Sequence, residues 1–257
     1  MTAQPVPDLA VGDLLLHGRI MPASNATFLG EIDGVRVVYK PVAGERPLWD
    51  FPDGSLADRE RAAYLVSEAF GWNVVPQTLL RDGPHGPGMV QRWQEPDPEQ
   101  AAVTLVPEDE VPSGYLHVFD GIDERDHPVS LVHEDTAALR RMAVFDIVVN
   151  NADRKGGHVL EMTDGHRYGV DHGVTFHTDH KLRTVLWGWM GEPLLPDELA
   201  AVARVRTEVC AALGDALAPL LSDVEIDALA RRCARLGERA VMPAPRGEWP
   251  AVPWPPF

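Results

Sequence analysis

The segment Phe145-Asp146-Ile147-Val148-Val149-Asn150-Asn151-Ala152-Asp153-Arg154-Lys155-Gly156-Gly157-His158-Val159-Leu160, with Tyr168-Gly169-Val170-Asp171-His172-Gly173 close behind it, decides how this chain is read. Residues 134–149 carry a helical period in which Leu139, Met142, Ala143 and Val149 share much of one face. A loop over 150–157 follows, and the apolar runs at 158–161 and 168–170 predict two short strands. Asp153 therefore falls on a loop just past a rigid helix, and Asp171 at a strand end before a glycine-permitted turn. Either aspartate alone reads equally well as a cap or turn residue. The information lies in the ordered pair.

Working outward toward the N-terminus, residues 14–18, 26–31 and 35–40 predict three strands, with Ile32-Asp33-Gly34-Val35 as a tight hairpin turn and Pro41 ending the third. Ser55 or Asp58 is placed to cap a helix that runs to Phe70 and stops at Gly71. Two further strands are expected over 75–81 and 89–93, separated by a Gly/Pro-rich segment at 82–88. Residues 95–112, acidic and proline-containing, suggest an exposed connection between two lobes. Beyond the central segment, amphipathic helices are predicted over 196–213 and 222–240. The tail, 249–257, is too rich in proline for regular structure, and its tryptophans either pack on the body or await a partner.

Composition narrows the possibilities. At 257 residues the chain can bury a sizeable core, and 45% hydrophobic with 24% charged residues suits a globular protein. No apolar run approaches the ~20 residues of a membrane span, and the N-terminal stretch has no export signal, so a cytoplasmic location is expected. Cys210 and Cys233 are too few for a disulfide framework and read as buried structural thiols. The net charge of −16 disfavours nucleic acid and stable association with anionic membranes, since no basic stripe is available for counterion release. A nucleotide can still bind where a few cations are focused in a cleft.

Taken together, residues 145–160 and 168–173 resemble the catalytic and metal-binding loops of phosphatidylinositol 3- and 4-kinase-like and HipA-like kinases, in which Asp-Arg-x-x-x-Asn follows a helix and a short hairpin leads to apolar-Asp-x-Gly. The resemblance to an actinobacterial group of phosphatidylinositol-kinase-like proteins is closer still and extends through Leu182-Arg183-Thr184-Val185-Leu186-Trp187. It implies an α+β, two-lobed protein-kinase-like fold, with a small antiparallel-sheet lobe (1–94) and a mostly helical lobe (95–257). ATP and a divalent cation, magnesium or manganese, would lie between them.

Phosphoryl transfer asks a protein mainly to position groups and neutralise charge. The resemblance gives Asp153 to the acceptor hydroxyl, Asp171 to the metal, Lys40 to the phosphates and Glu60 to the orientation of Lys40, with Glu68 on the same helix as a rival. Ser24 and Asn25 fall in a short serine-containing phosphate loop, and Gln91 and Trp93 in the hinge that meets adenine. The sequence departs from the pattern at His158, which stands where the families place a metal-ligating asparagine. Magnesium prefers oxygen and imidazole suits softer ions, so His158 either ligates manganese, binds phosphate, or marks a lost metal site. Lys155 could neutralise the transferred phosphoryl or be an exposed loop lysine. Three functions stand open: a kinase acting on a hydroxyl of an unidentified protein or small molecule, a nucleotide-binding pseudokinase, and a metal-dependent hydrolase built on Asp171, His172, His177, Asp179 and His180.

Overall fold

The computed structural model describes residues 8–21, 25–46, 48, 50–51, 54–246 and 249–257. Among the described residues, ten strands and five α-helices follow in the order β1 (Leu15–Arg19), β2 (Phe28–Ile32), β3 (Val35–Pro41), α1 (Leu56–Phe70), β4 (Thr78–Gly83), β5 (Gly86–Arg92), β6 (Val103–Pro107), β7 (Tyr115–Ile122), β8 (Pro128–Glu134), α2 (Ala137–Val149), β9 (Val159–Glu161), β10 (Arg167–Gly169), α3 (Pro196–Val209), α4 (Ala212–Leu217) and α5 (Asp223–Arg239).

The N-terminal strands form one antiparallel sheet in the order β1-β2-β3-β5-β4. Asp33 and Gly34 both adopt positive φ, the backbone of a type I′ hairpin turn between β2 and β3. Along β3 the faces alternate as a half-buried strand requires: Val37 and Tyr39 enter a small core with Leu9, Leu14, Ile32 and Val90, while Val38 and Lys40 face a cleft. Helix α1 begins with a reciprocal capping box, Ser55 Oγ accepting from Asp58 N (3.0 Å) and Asp58 Oδ2 from Ser55 N (3.1 Å). It ends at Gly71, whose φ of 65° only glycine adopts freely.

The larger core gathers α1, α2, α3 and α5 around Phe70, Phe145, Phe176 and Trp189. This is the α+β arrangement expected from the sequence, an antiparallel-sheet lobe beside a mostly helical one. Several details differ. Within the expected exposed connection, Val103–Pro107 is a strand, and it joins an antiparallel sheet ordered β6-β8-β7 that the sequence did not announce. Strand β8 buries Ser130, His133 and Glu134, each satisfied: Ser130 by Asp120, His133 by Gly188 N and Glu134 by Arg167. A strand with polar residues on its buried face shows no alternation in hydropathy. Glu134 thus ends β8, and α2 starts only at Ala137, where Thr136 Oγ1 accepts from Leu139 N at 3.3 Å. The first C-terminal helix breaks at Cys210, which is exposed rather than buried; Cys233 is buried as expected.

The tail packs back on the body. Ala251 O accepts from Thr184 N (3.0 Å) and from the Trp187 indole (2.8 Å), Trp249 donates to Lys181 O (3.0 Å), and Pro256 O accepts from Gly156 N (2.8 Å). Phe257 then lies so close over Gly156 that a Cβ there would meet its ring at 2.5 Å. Trp254, 79% exposed, faces solvent. Among the described residues no helix is long and apolar enough to cross a membrane.

Candidate active site

A cleft of about 580 Å³ opens between the five-stranded sheet and the segments around β9 and β10. Its upper wall is Ile20, Val38 and Lys40; its lower wall is Leu160, Val170 and Asp171. Asp153, Lys155 and His158 line the same space, so residues far apart in sequence converge here.

Lys40 is the centre of this convergence. Its ammonium lies 2.7 Å from Glu60 Oε1 and 2.8 Å from Asp171 Oδ1. Burial alone would lower its pKa, but the carboxylates of Asp171 and Glu60 outweigh burial and hold it above the ordinary lysine value. The Lys40 ammonium in turn, with help from His158 and against burial, keeps Asp171 well below the usual carboxylate range. The Asp171 side chain still retains 52% of its exposure, turned to the cleft. Glu60 is buried and holds His172 N with its other oxygen (2.9 Å), whereas Glu68 is exposed, so Glu60 is the helix partner of Lys40.

Asp171 occupies the left-handed region at φ 62°, a conformation an aspartate tolerates at some cost. Its Oδ2 lies 3.4 Å from His158 Nε2. The carbonyl of Asp153 can only accept, so the 2.9 Å contact from His158 Nδ1 places the proton on that nitrogen. Burial pulls the His158 pKa down, and the neutral ring then presents the Nε2 lone pair to a carboxylate. Two electron-pair donors facing each other at this spacing suit a cation between them. The donor set, one imidazole and one carboxylate, fits manganese better than magnesium. Among the described residues no group of three or more His, Cys, Asp or Glu side chains is gathered as a metal site. The hydrolase cluster in particular disperses: His172 is buried against Arg154, while His177 packs edge-on to Phe51 and accepts from Asp179 N.

Asp153 is positioned by Asn151, whose Oδ1 accepts its backbone N–H at 3.0 Å. Burial raises its pKa, against the nearby charges of Lys155, His158 and Arg183. Lys155 Nζ stands 3.6 Å from Asp153 Oδ2 and Arg183 Nη2 3.9 Å from Oδ1, so the carboxylate is flanked by two cations. Asn25 lines the cleft but its Oδ1 is taken by Arg46 N (2.9 Å). Gln91 forms part of the floor, its amide donating to Thr78 Oγ1 (2.9 Å). Trp93 lines the rim with its indole on Glu95 (3.2 Å). Ser24 lies outside the described residues.

Beneath the cleft is a network that sequence reasoning missed. Arg154, fully buried, clasps the equally buried Asp146 through Nε (2.7 Å) and Nη2 (2.9 Å). It also donates to the carbonyls of His158 and Val170 (3.1 Å each) and to His172 Nε2 (2.6 Å). An arginine only donates, so His172 carries its proton on Nδ1. That atom is buried without a hydrogen-bond partner, its nearest anion being Glu60 Oε2 at 4.0 Å. Asn151 bonds Asp146 as well (2.9 Å). One buried guanidinium thus ties α2, the loop carrying Asp153 and His158, and the segment before Asp171 together. The signal was present: Asp146 falls on the same helical stripe as Met142 and Val149, and a charge on a buried stripe requires a partner. Asn150, at the left-handed C-cap of α2, was missed too. It holds the 177–181 segment through the carbonyls of His177 (2.8 Å) and Asp179 (2.7 Å) and the N–H of Lys181 (3.0 Å).

No family model matches the chain. It is 50% identical over 262 residues to protein Rv2133c of Mycobacterium tuberculosis, an alignment spanning 97% of this chain and 94% of that one. Among solved structures it is similar to the Helicobacter pylori proinflammatory kinase CtkA, with a TM-score of 0.46 and 12% identity over 93% of this chain and 95% of that one.

Proposed function

The chain belongs to the same family as the mycobacterial protein Rv2133c, and we propose that it is an ATP-dependent phosphotransferase of the phosphatidylinositol-kinase-like and HipA-like type, transferring the γ-phosphate to a hydroxyl of a protein or small molecule. The observation that carries this is the Lys40 ammonium within 2.8 Å of both Glu60 and Asp171 at the back of an interlobe cleft. Phosphoryl transfer needs a pinned cation and a metal-binding carboxylate at one point of such a cleft.

In this reading Ile20 and Val38 cover the adenine from above and Leu160 from below, with Gln91 and Trp93 at the hinge. Asn25 borders the phosphates, and Lys40, oriented by Glu60, binds them. A divalent cation would supply charge neutralisation of the phosphates, held by Asp171 and His158 with phosphate oxygens and water completing its shell. Asp153 receives the acceptor proton or orients the hydroxyl, and its raised pKa suits that task. Lys155 and Arg183 screen the charge that develops beside it. The lobes divide near residues 94 and 95, and the protein works in the cytoplasm without nucleic acid or stable membrane partners.

A pseudokinase is the second reading, favoured by His158 in place of the expected asparagine. Incubating the protein with labelled ATP and magnesium or manganese separates the two. Label on the protein itself, on lysate proteins or on metabolites supports a kinase; nucleotide binding with no transfer to any of these supports the pseudokinase. If His158 is a metal ligand, manganese should support binding or turnover better than magnesium, and His158→Asn should move the preference toward magnesium. An unchanged metal profile in that variant removes His158 from the metal.

A further inference from the structure

The chain is acidic, with 39 Asp and Glu against 23 Lys and Arg, yet it holds a pocket lined by four arginines and no carboxylate. A cavity of about 300 Å³ lies between the end of α2, the 180–182 segment, α5 and residues 241–246. Arg232, Arg235 and Arg239 project from one face of α5, Arg246 from the segment opposite, and His180 from the rim; no carboxylate lines the space. Among the described residues none of these four arginines forms an ion pair with an acid. Ile147, Leu182, Leu236, Val241 and Met242 supply an apolar floor.

Arg232 is the most telling. Its Nε donates to Val148 O (2.7 Å) and its Nη1 to His177 O (3.1 Å), which fixes the guanidinium plane, yet Nη2 is buried without a hydrogen-bond partner. Burial pulls its pKa down to about 10. Burial and the charges of Arg235 and Arg232 likewise depress His180. Like charges gathered on an apolar floor repel one another, and a desolvated N–H left unbonded costs free energy. A dianion relieves the repulsion, because the guanidinium fork matches phosphate oxygens and a floor of this size accommodates a small organic body.

We propose that this pocket is a second ligand site, separate from the interlobe cleft, for a soluble small molecule carrying a phosphate on an apolar body. The site lies against the rear of the catalytic loop: Arg232 holds the α2 terminus, and Leu182 on its floor adjoins Arg183, which flanks Asp153.

The test is titration calorimetry on the full chain at low salt with 1-naphthyl phosphate, 1-naphthol and inorganic phosphate as probes. Naphthyl phosphate should bind at least about tenfold more tightly than either fragment, because both halves of the pocket are engaged. Arg235→Glu/Arg239→Glu reverses two exposed charges on α5, and Arg246→Glu does so on the facing segment. Each should weaken naphthyl phosphate by about tenfold or more while binding of a non-hydrolysable ATP analogue is unchanged. Equal affinity in wild type and both variants, displacement of the probe by the ATP analogue, or no saturable binding of naphthyl phosphate at millimolar concentration would each overturn the proposal. Tighter binding of a phosphopeptide or of phosphate-headgroup vesicles than of any soluble phosphate ester would overturn the assignment to a small molecule.

Discussion

Replacing Asp171 with asparagine is expected to weaken metal-dependent nucleotide binding and abolish phosphate transfer, whereas Asp153→Asn should leave nucleotide affinity within about a few fold while transfer falls about 10²–10⁴-fold. The two aspartates line one cleft but have different neighbours. Asp171 lies 2.8 Å from Lys40 and 3.4 Å from His158, and in the proposed function its charge serves the ion and the phosphates. Losing it leaves the bound phosphates poorly neutralised, and electrostatic stabilisation is usually the largest single contribution in such catalysis. Asp153 has no hydrogen bond to Lys40 or Glu60; its own neighbours are Lys155 and Arg183, at 3.6 and 3.9 Å. In the proposed function it acts on the acceptor. Calorimetry with a metal–nucleotide complex, paired with single-turnover transfer, measures the split. Failure of the wild-type protein to bind any adenine nucleotide with any divalent cation would remove the kinase assignment. Binding without transfer, unaffected by Asp153→Asn, would leave the pseudokinase.

The parts of this site that the sequence disclosed are those held by local rules. Ser55 and Gly71 bracket α1 through a capping box and a left-handed cap, both readable as residue types at fixed positions. Asp33-Gly34 sets the β2–β3 turn, and that turn fixes the register by which Lys40 faces the cleft rather than the core. The pairing of Lys40 with Glu60 rather than Glu68 was open in the sequence, because both glutamates lie on α1. The packing of the helix decided it, burying one and exposing the other.

What escaped notice was held together by long-range polar contacts. Strand β8 pairs with both β6 and β7 although it buries a serine, a histidine and a glutamate, each of which found a partner elsewhere in the fold. The flanking acidic and proline-rich stretch therefore looked like a linker while concealing β6. Cys210 illustrates the opposite error. A helical pattern placed it in a core, but α3 ends one residue earlier and leaves it in solvent. The tail's docking depends on carbonyls at Ala251 and Pro256 meeting N–H groups at Thr184, Trp187 and Gly156, contacts that no residue type in the tail foretells.

The second large effect is expected at Arg154, which touches neither cleft nor solvent. Arg154→Met should lower stability by about 3–5 kcal/mol, since it strands a buried carboxylate. In a domain of this size that loss corresponds to a fall in melting temperature on the order of 10 °C. The arginine makes five hydrogen bonds, only two of them to Asp146. If the residue were merely half of an ion pair, replacing both partners by apolar residues would recover most of the loss, as buried pairs generally permit. Here Asp146→Leu/Arg154→Met should recover little, because the Val170 carbonyl and the ring nitrogen of His172 would still lack their donor, and the His158 carbonyl would keep only Val170 N (3.0 Å). Arg154→Lys should also fall short, as one ammonium cannot span a carboxylate, two carbonyls and an imidazole. Urea unfolding of the three variants beside Asp146→Asn measures this directly, and full recovery in the double variant would reduce Arg154 to a simple ion-pair partner. The same geometry ties stability to the site. Two of the carbonyls that Arg154 grips belong to His158 and to Val170 beside Asp171, so a variant that stays folded should show altered metal dependence at unchanged overall structure. If Arg154 is a positioning residue, a shift in metal preference without loss of fold is the signature that a purely structural role would not produce.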